Sequence, residues 1–234
     1  MNCQNKAIRN NTQPAWQVCP ETDIQHIPAV RNVGIMGGTF NPVHNGHLLL
    51  AEMAREALGL DRIIFMPSGN SYMKDASAIL DGQIRAHMTR LAIEGNPCFS
   101  FSARELEREG PTYTCDTLAG LRAENPDIRY YLILGADNLF ILEKWRNPEF
   151  IFQNCAIAAA MRVEGGGKKE APNTVEGMAA HLRQKYQADI RLLPGRRIDL
   201  SSTEIRTRLR EGRSVRYMLP ENVLEFINKN GLYR

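Results

Sequence analysis

Two short apolar runs, residues 33–36 and 62–66, bracket a stretch whose apolar residues change period. Leu48, Ala51, Ala54 and Leu58 recur at helical spacing, with Glu52, Arg55 and Glu56 turned the other way. A strand, a helix and a second strand within some 35 residues form a βαβ unit, and the second run ends at Pro67 and Gly69. Parallel strands joined by a helix need both faces of the sheet covered, which commits the chain to an α/β architecture. Sheets of this kind take ligands beyond the C-terminal ends of their strands. The loop at that place reads GGTFNPVHNGH, residues 37–47.

The alternation continues. Helix candidates cover residues 81–94, with Asp81 as the cap, then 115–124, 175–186, 203–211 and 221–228. Extended candidates cover 98–102, 130–134, 155–160 and 190–193. No internal repeat interrupts this order. The pattern predicts a doubly wound, mostly parallel α/β sheet, a Rossmann-like fold, with a small C-terminal helical appendage. Residues 1–29 are rich in Asn and Gln and poorly patterned, and read as a loosely ordered extension. A single patterned domain then runs over 30–234, with a glycine- and lysine-rich flexible insertion at about 161–174.

Five cysteines with no CxxC pair make a disulfide framework or a cysteine-rich zinc site a poor fit and favour a reduced, cytoplasmic setting. The N-terminus has no apolar run for a signal peptide, and no stretch is apolar enough to span a membrane. A formal charge of +3 suits anionic small molecules and gives little support to a nucleic-acid partner. Eight arginines between residues 191 and 216 face only Asp199, Glu204 and Glu211, so one C-terminal segment is strongly basic. Those arginines are interleaved with Leu193, Ile198, Leu200 and Ile205, without an aromatic stacking run.

The first loop is open to three readings: a phosphate site, a metal site, or neither. It lacks GxxxxGK[ST] and GxGxxG, and GGGK at residues 165–168 continues with Lys169 and Glu170 where a hydroxyl residue belongs. His44 and His47 have no HExxH helix and no evident third ligand, so no metal ligand is named. Phosphate has the firmer physics. Gly37 and Gly38 allow close approach of a ligand to the backbone, and a helix opening near Asn45 and Gly46 offers unpaired amides and a partial positive charge. Histidines at its mouth donate to phosphoryl oxygens, and more strongly when protonated. Near the other end, SSTEIR (residues 201–206) begins another helix, where Ser202 or Thr203 can cap and Arg206 can fork onto phosphate. Two such anchors suit a polyphosphate.

HNGH within GGTFNPVHNGH resembles the HxGH signature of a nucleotidyltransferase superfamily, and SSTEIR resembles its second signature. Within that superfamily, residues 32–233 are similar to bacterial nicotinate-nucleotide adenylyltransferases. FMPSGN (65–70), PTYTCDTL (111–118), LGADNL (134–139), the Lys144-Trp145 pair and the ending VRYMLPENVLEFINKNGLY carry the similarity. The resemblance implies AMP transfer from ATP to nicotinate mononucleotide, with magnesium, giving deamido-NAD and pyrophosphate. It implies ATP contacts from Gly37, Gly38, Thr39, Phe40, His44, His47, Gly135, Asp137, Ser202, Thr203 and Arg206, with His44 and His47 at the catalytic step. On the acceptor side it implies Asn70, Lys74, Thr114 and Trp145. One departure stands out: Ser71-Tyr72-Met73-Lys74 replaces the family's usual Pro-Pro-His-Lys. Nicotinamide mononucleotide or another phosphorylated acceptor is the alternative substrate, and a non-catalytic nucleotide or nucleic-acid module is the remote one. Oligomeric state is left open.

Overall fold

A computed structural model describes residues 30–69, 79–161, 174–193 and 200–234. Residues 1–29, Asn70, Lys74 and nearly all of the 161–174 stretch lie outside the described residues. Met161 and Thr174, at the edges of that stretch, are described, and Thr174 caps a helix by accepting from Gly177 N–H at 3.1 Å.

Six strands form one parallel sheet: β1 (Asn32–Gly38), β2 (Arg62–Pro67), β3 (Phe99–Phe101), β4 (Arg129–Gly135), β5 (Ala156–Ala160) and β6 (Ile190–Leu193). Their order is β3-β2-β1-β4-β5-β6, so the chain reverses direction of winding between β1 and β4. Central β1 is buried on both faces from Val33 to Met36, which accounts for its unbroken apolar run. On one face lie α1 (Asn45–Leu58), α2 (Gly82–Ile93), α6 (Ser202–Arg210) and α7 (Glu221–Lys229). On the other lie α3 (Thr114–Glu124), α4 (Pro148–Asn154) and α5 (Val175–Tyr186). The C-terminal helices share a core with the first two: Ile205, Val223 and Ile227 are fully buried beside Ala51, Ala54 and Met88. Asn222 also ties α7 to α2, donating to the Leu91 carbonyl at 2.6 Å.

Strands and helices fall where the patterns place them, with instructive shifts. β1 runs two residues past the apolar stretch, so Gly37 and Gly38 pair in register with Met66 and Pro67 and belong to the strand. Asp81 caps α2 as expected, accepting from Gln83 N–H at 2.8 Å. Helix α4 went unrecognised, although Asn147-Pro148 is a start signal: Asn147 accepts from Phe150 N–H and Pro148 takes the first turn.

Gly34 shows how tightly the sheet centre is filled. A Cβ there would lie 2.5 Å from Ile63 Cδ1, 2.7 Å from Ile133 Cδ1 and 3.0 Å from Leu60 Cδ1. Gly34→Val is therefore expected to destabilise the fold by about 1–3 kcal/mol through overpacking. Urea denaturation would read this as a lower midpoint with an unchanged slope.

Candidate active site

Pairing between β1 and β4 stops at Met36 and Ile133. Beyond that point β1 continues beside β2 to Gly38, and β4 continues beside β5 to Gly135. The two central strands thus part at the sheet's C-terminal edge. A cavity of about 870 Å³ opens there, a size typical of small-molecule sites. Its wall includes Gly37, Gly38, Thr39, Phe40, His44 and His47, and across from them Ser202, Thr203 and Arg206. Gly135, Asp137, Thr114 and Trp145 complete the set, so every described residue expected at the site lines one cavity.

The two glycines have separate reasons. A Cβ on Gly37 would meet nothing within 4 Å, so protein packing does not demand glycine there, and the residue lies on the cavity wall. A Cβ on Gly38 would come within 2.9 Å of the Phe40 ring. That ring is buried, lying edge-on to His47 at 5.0 Å and near Phe65, so Phe40 shapes the loop from inside the core.

His44 is the extended N-cap residue of α1, and its backbone N–H donates to His47 Nδ1 at 3.2 Å. His47 therefore plays the part that Glu or Gln plays in a capping box. Since Nδ1 accepts, the ring proton of neutral His47 sits on Nε2. The two imidazoles stack with centroids 3.7 Å apart and planes 24° apart. The helix mouth is partly spent: Asn45 N–H donates to the Met218 carbonyl at 3.0 Å.

The second motif reaches across to the first. Ser202 Oγ donates to the Pro42 carbonyl at 2.8 Å, and Arg206 Nη1 donates to the Asn41 carbonyl at 2.9 Å. Arg206 Nη2 reaches Thr203 Oγ1 at 3.3 Å, so part of its fork is committed to holding the loop. The cap of α6 is Ser201, which accepts from Glu204 N–H at 3.1 Å; neither Ser202 nor Thr203 fills that role. Both line the cavity, with Ser202 Oγ engaged by Pro42 and Thr203 Oγ1 by Arg206. Helices α1, α3 and α6 all begin at the cavity, which puts three partial positive charges around it.

A cytidylyltransferase-like family model matches residues 35–208. The chain is 46% identical over 204 residues to a "Probable nicotinate-nucleotide adenylyltransferase" of Lachnoclostridium phytofermentans, covering 87% of this chain and all of that one. The chain belongs to the nicotinate-nucleotide adenylyltransferase family. A second relative, from Dehalococcoides mccartyi and bearing the same description, is 39% identical over 86% of this chain and 96% of its own. The fold is shared with Plasmodium falciparum nicotinic acid mononucleotide adenylyltransferase, solved in complexes with APC and with NaAD, at TM-scores of 0.67 and 0.68. Both structures are 18% identical to this chain and cover 87% of it and 97% of themselves.

Several residues of this family member enter the cavity without having been singled out. Ser68 follows β2, Glu105 and Thr112 come from the connection between β3 and α3, and Thr117 and Arg146 border the acceptor-side residues. Glu105 accepts from Thr117 Oγ1 at 2.9 Å, and burial pushes its carboxyl above the usual range. The motif spacing carried no signal for it, since REL differs little from any solvated charged turn. Trp145 packs on the α3–α5 core while its Nε1 is buried with no hydrogen-bond partner. His44 Nδ1 and Ser68 Oγ are also buried and unpartnered.

Burial also pushes the His44 imidazole down to about 4. The fold therefore holds it neutral near pH 7. Because the unfolded chain binds the proton first, stability should be complete above about pH 6.5 and fall as pH drops towards 4. The loss from this residue is roughly 3 kcal/mol. Denaturant midpoints across that window should fall more steeply for the wild type than for His44→Asn, which keeps the slope of other groups such as His87, whose pKa burial also lowers.

Proposed function

We propose that residues 30–234 act as one nucleotidyltransferase domain that transfers AMP from ATP to nicotinate mononucleotide, releasing pyrophosphate and deamido-NAD. One observation carries the reading. The two motifs, more than 150 residues apart, are bolted together by Ser202 and Arg206 across a single cavity at the parting of β1 and β4. Its polar lining is rich in N–H and O–H donors, as a triphosphate requires. The relatives' descriptions support the acceptor.

The substrate is the magnesium chelate of ATP, whose phosphates carry the metal into the site. The β1–α1 loop and the N-terminus of α6 take the triphosphate from two sides. Gly37 permits close approach, His44 and His47 donate from the helix mouth, and Ser202, Thr203 and Arg206 receive the distal phosphates. Gly135 and Asp137 border the adenosine. Asn70 and Lys74, outside the described residues, belong to the acceptor side of this reading. Trp145 offers an indole face to the pyridine ring, and the N-terminus of α3 at Thr114 favours an anionic ring substituent over a neutral amide.

The acceptor's phosphate oxygen is a nucleophile at neutral pH, so no strong base is needed. It attacks the α-phosphorus in line; the bond to the bridging oxygen breaks and the electron pair leaves with pyrophosphate. Holding two anions in that alignment supplies about 7–11 kcal/mol in favourable cases. Donors placed where charge gathers on the leaving group supply more.

The arginine-rich segment fits this small-molecule reading. Arg208, Arg210, Arg213 and Arg216 are engaged by Glu204, Thr207, Glu211, Ser214 and Glu221. No helix among the described residues is long and apolar enough to cross a membrane. Cys98, Cys115 and Cys155 are free thiols, in keeping with a cytoplasmic setting.

Incubating the chain with magnesium, ATP and either pyridine mononucleotide tests the proposal directly. Deamido-NAD should form much faster than NAD, with no AMP trapped covalently on the protein. Faster NAD formation would reassign the acceptor; an AMP–protein adduct would overturn the direct displacement. His47→Gln isolates the imidazole, because Gln preserves the helix-capping contact. It should lower kcat by about 10²–10³ while ATP affinity and melting temperature change little. Equal losses in kcat and ATP affinity would reduce His47 to ground-state binding.

A further inference from the structure

Tyr233 is the penultimate residue, yet its hydroxyl donates to Asn41 Oδ1 at 2.9 Å. Asn41 is buried in the loop joining β1 to α1, between Phe40 and the cis-linked Pro42. The same Oδ1 accepts from Leu80 N–H at 3.3 Å, and the Asn41 carbonyl is the one that receives Arg206. Behind the loop lies Arg85, also buried, which donates to the carbonyls of Thr39 at 2.7 Å, Ser68 at 2.9 Å and Leu80 at 2.9 Å. The phosphate loop is thus held from below by the exit of β2, the approach to α2, helix α6 and the end of the chain.

Two backbone conformations sit at the ends of this link. Phe40 has φ 48° and Tyr233 has φ 65°, a left-handed region that large side chains seldom occupy. Such conformations persist where the surroundings over-determine them. The Tyr233 ring already packs against the α1–α2 core, a task that Phe would perform as well. What Phe lacks is the hydroxyl. Burial raises the pKa of that group, so it remains a protonated donor, with Arg206 and Arg85 as its charged neighbours.

We propose that Tyr233 is a positioning residue for adenylyl transfer: through Asn41 its hydroxyl holds the β1–α1 loop against Arg206 and so sets the seat of the triphosphate. The inference rests on the triphosphate reading of that loop. It assigns the C-terminal turn a part in ATP use that its distance in sequence from either motif conceals.

Tyr233→Phe is the test, with kinetics on both substrates and a melting curve. A loss of one hydrogen bond should lower kcat/KM for ATP about five-fold. The KM for nicotinate mononucleotide should be unchanged, and the melting temperature should stay within about 3 °C. Combining it with Asn41→Ser should add less than the sum of the single effects, because both remove the same contact. A merely structural tyrosine would lower activity with both substrates alike, in step with lost stability, and that result would overturn the proposal. So would unchanged ATP kinetics, or additive effects in the double variant. A wild-type chain that neither binds ATP nor turns over would remove the triphosphate reading and this inference with it, whereas an active wild type with an unaltered Phe variant removes the inference alone.

Discussion

The parting of β1 from β4 after Met36 and Ile133 is the constraint on which the rest depends. Hydrogen bonding to β2 on one side and β5 on the other pulls the two central strands apart, because the chain winds outward in both directions from this seam. Past the seam, backbone groups that a neighbouring strand would otherwise pair face an opening. Residues just beyond it, Gly37, Gly38, Leu134 and Gly135, all border the cavity. The helices that follow the strands then begin there by necessity, since each βα connection turns at the same edge. Position of the site and polarity of its helix ends are therefore one fact seen twice.

How much of this was legible beforehand depended on how local the determinant is. Buried parallel strands must be apolar over their whole length, so runs such as residues 33–36 and 156–160 declared themselves. Helices with one buried face declared themselves by period. The extension of β1 through Gly37 and Gly38 did not, because glycine has little strand propensity and its pairing comes from β2. Among the site residues, the two motifs were readable because each is contiguous. Glu105, Ser68 and Arg146 come from three separate connections, and only the folded sheet gathers them. The choice of Ser201 over its neighbours as the α6 cap is of the same kind: three consecutive hydroxyl residues are equivalent until Pro42 takes the hydroxyl of the second.

Histidine chemistry changed most between sequence and structure. In the sequence, His44 and His47 are a pair three residues apart with the same expected role, as donors to the ATP phosphates. Folded, they are unequal. His47 Nδ1 is occupied as an acceptor, which fixes its tautomer, while His44 is buried against it with Nδ1 unpartnered and its pKa driven down. Two stacked rings at 3.7 Å cannot both carry charge cheaply in a partly desolvated wall. A triphosphate arriving at this wall would reverse the balance, since an adjacent anion favours the protonated ring that burial disfavours. Burial thus keeps His44 neutral beside the ring stacked on it, which limits repulsion between the two.

The same balance bears on the carboxyl of Glu105, which sits on the wall of this cavity. A charged Glu105 would offset part of the positive potential of the three helix N-termini that open beside it. Burial raises its pKa, so the group spends less of its time as an anion than a surface glutamate does, although the hydrogen bond from Thr117 to Oε1 works the other way. Thr117 also reaches the Tyr113 carbonyl, the backbone group at the start of α3. Glu105 thereby braces the helix end that carries Thr114 and lies between that end and the exit of β2, with Ser68 on the same wall. The wall is asymmetric in this respect: its helix dipoles and the Arg206 guanidinium do not titrate near neutral pH, whereas burial shifts Glu105 toward its protonated form.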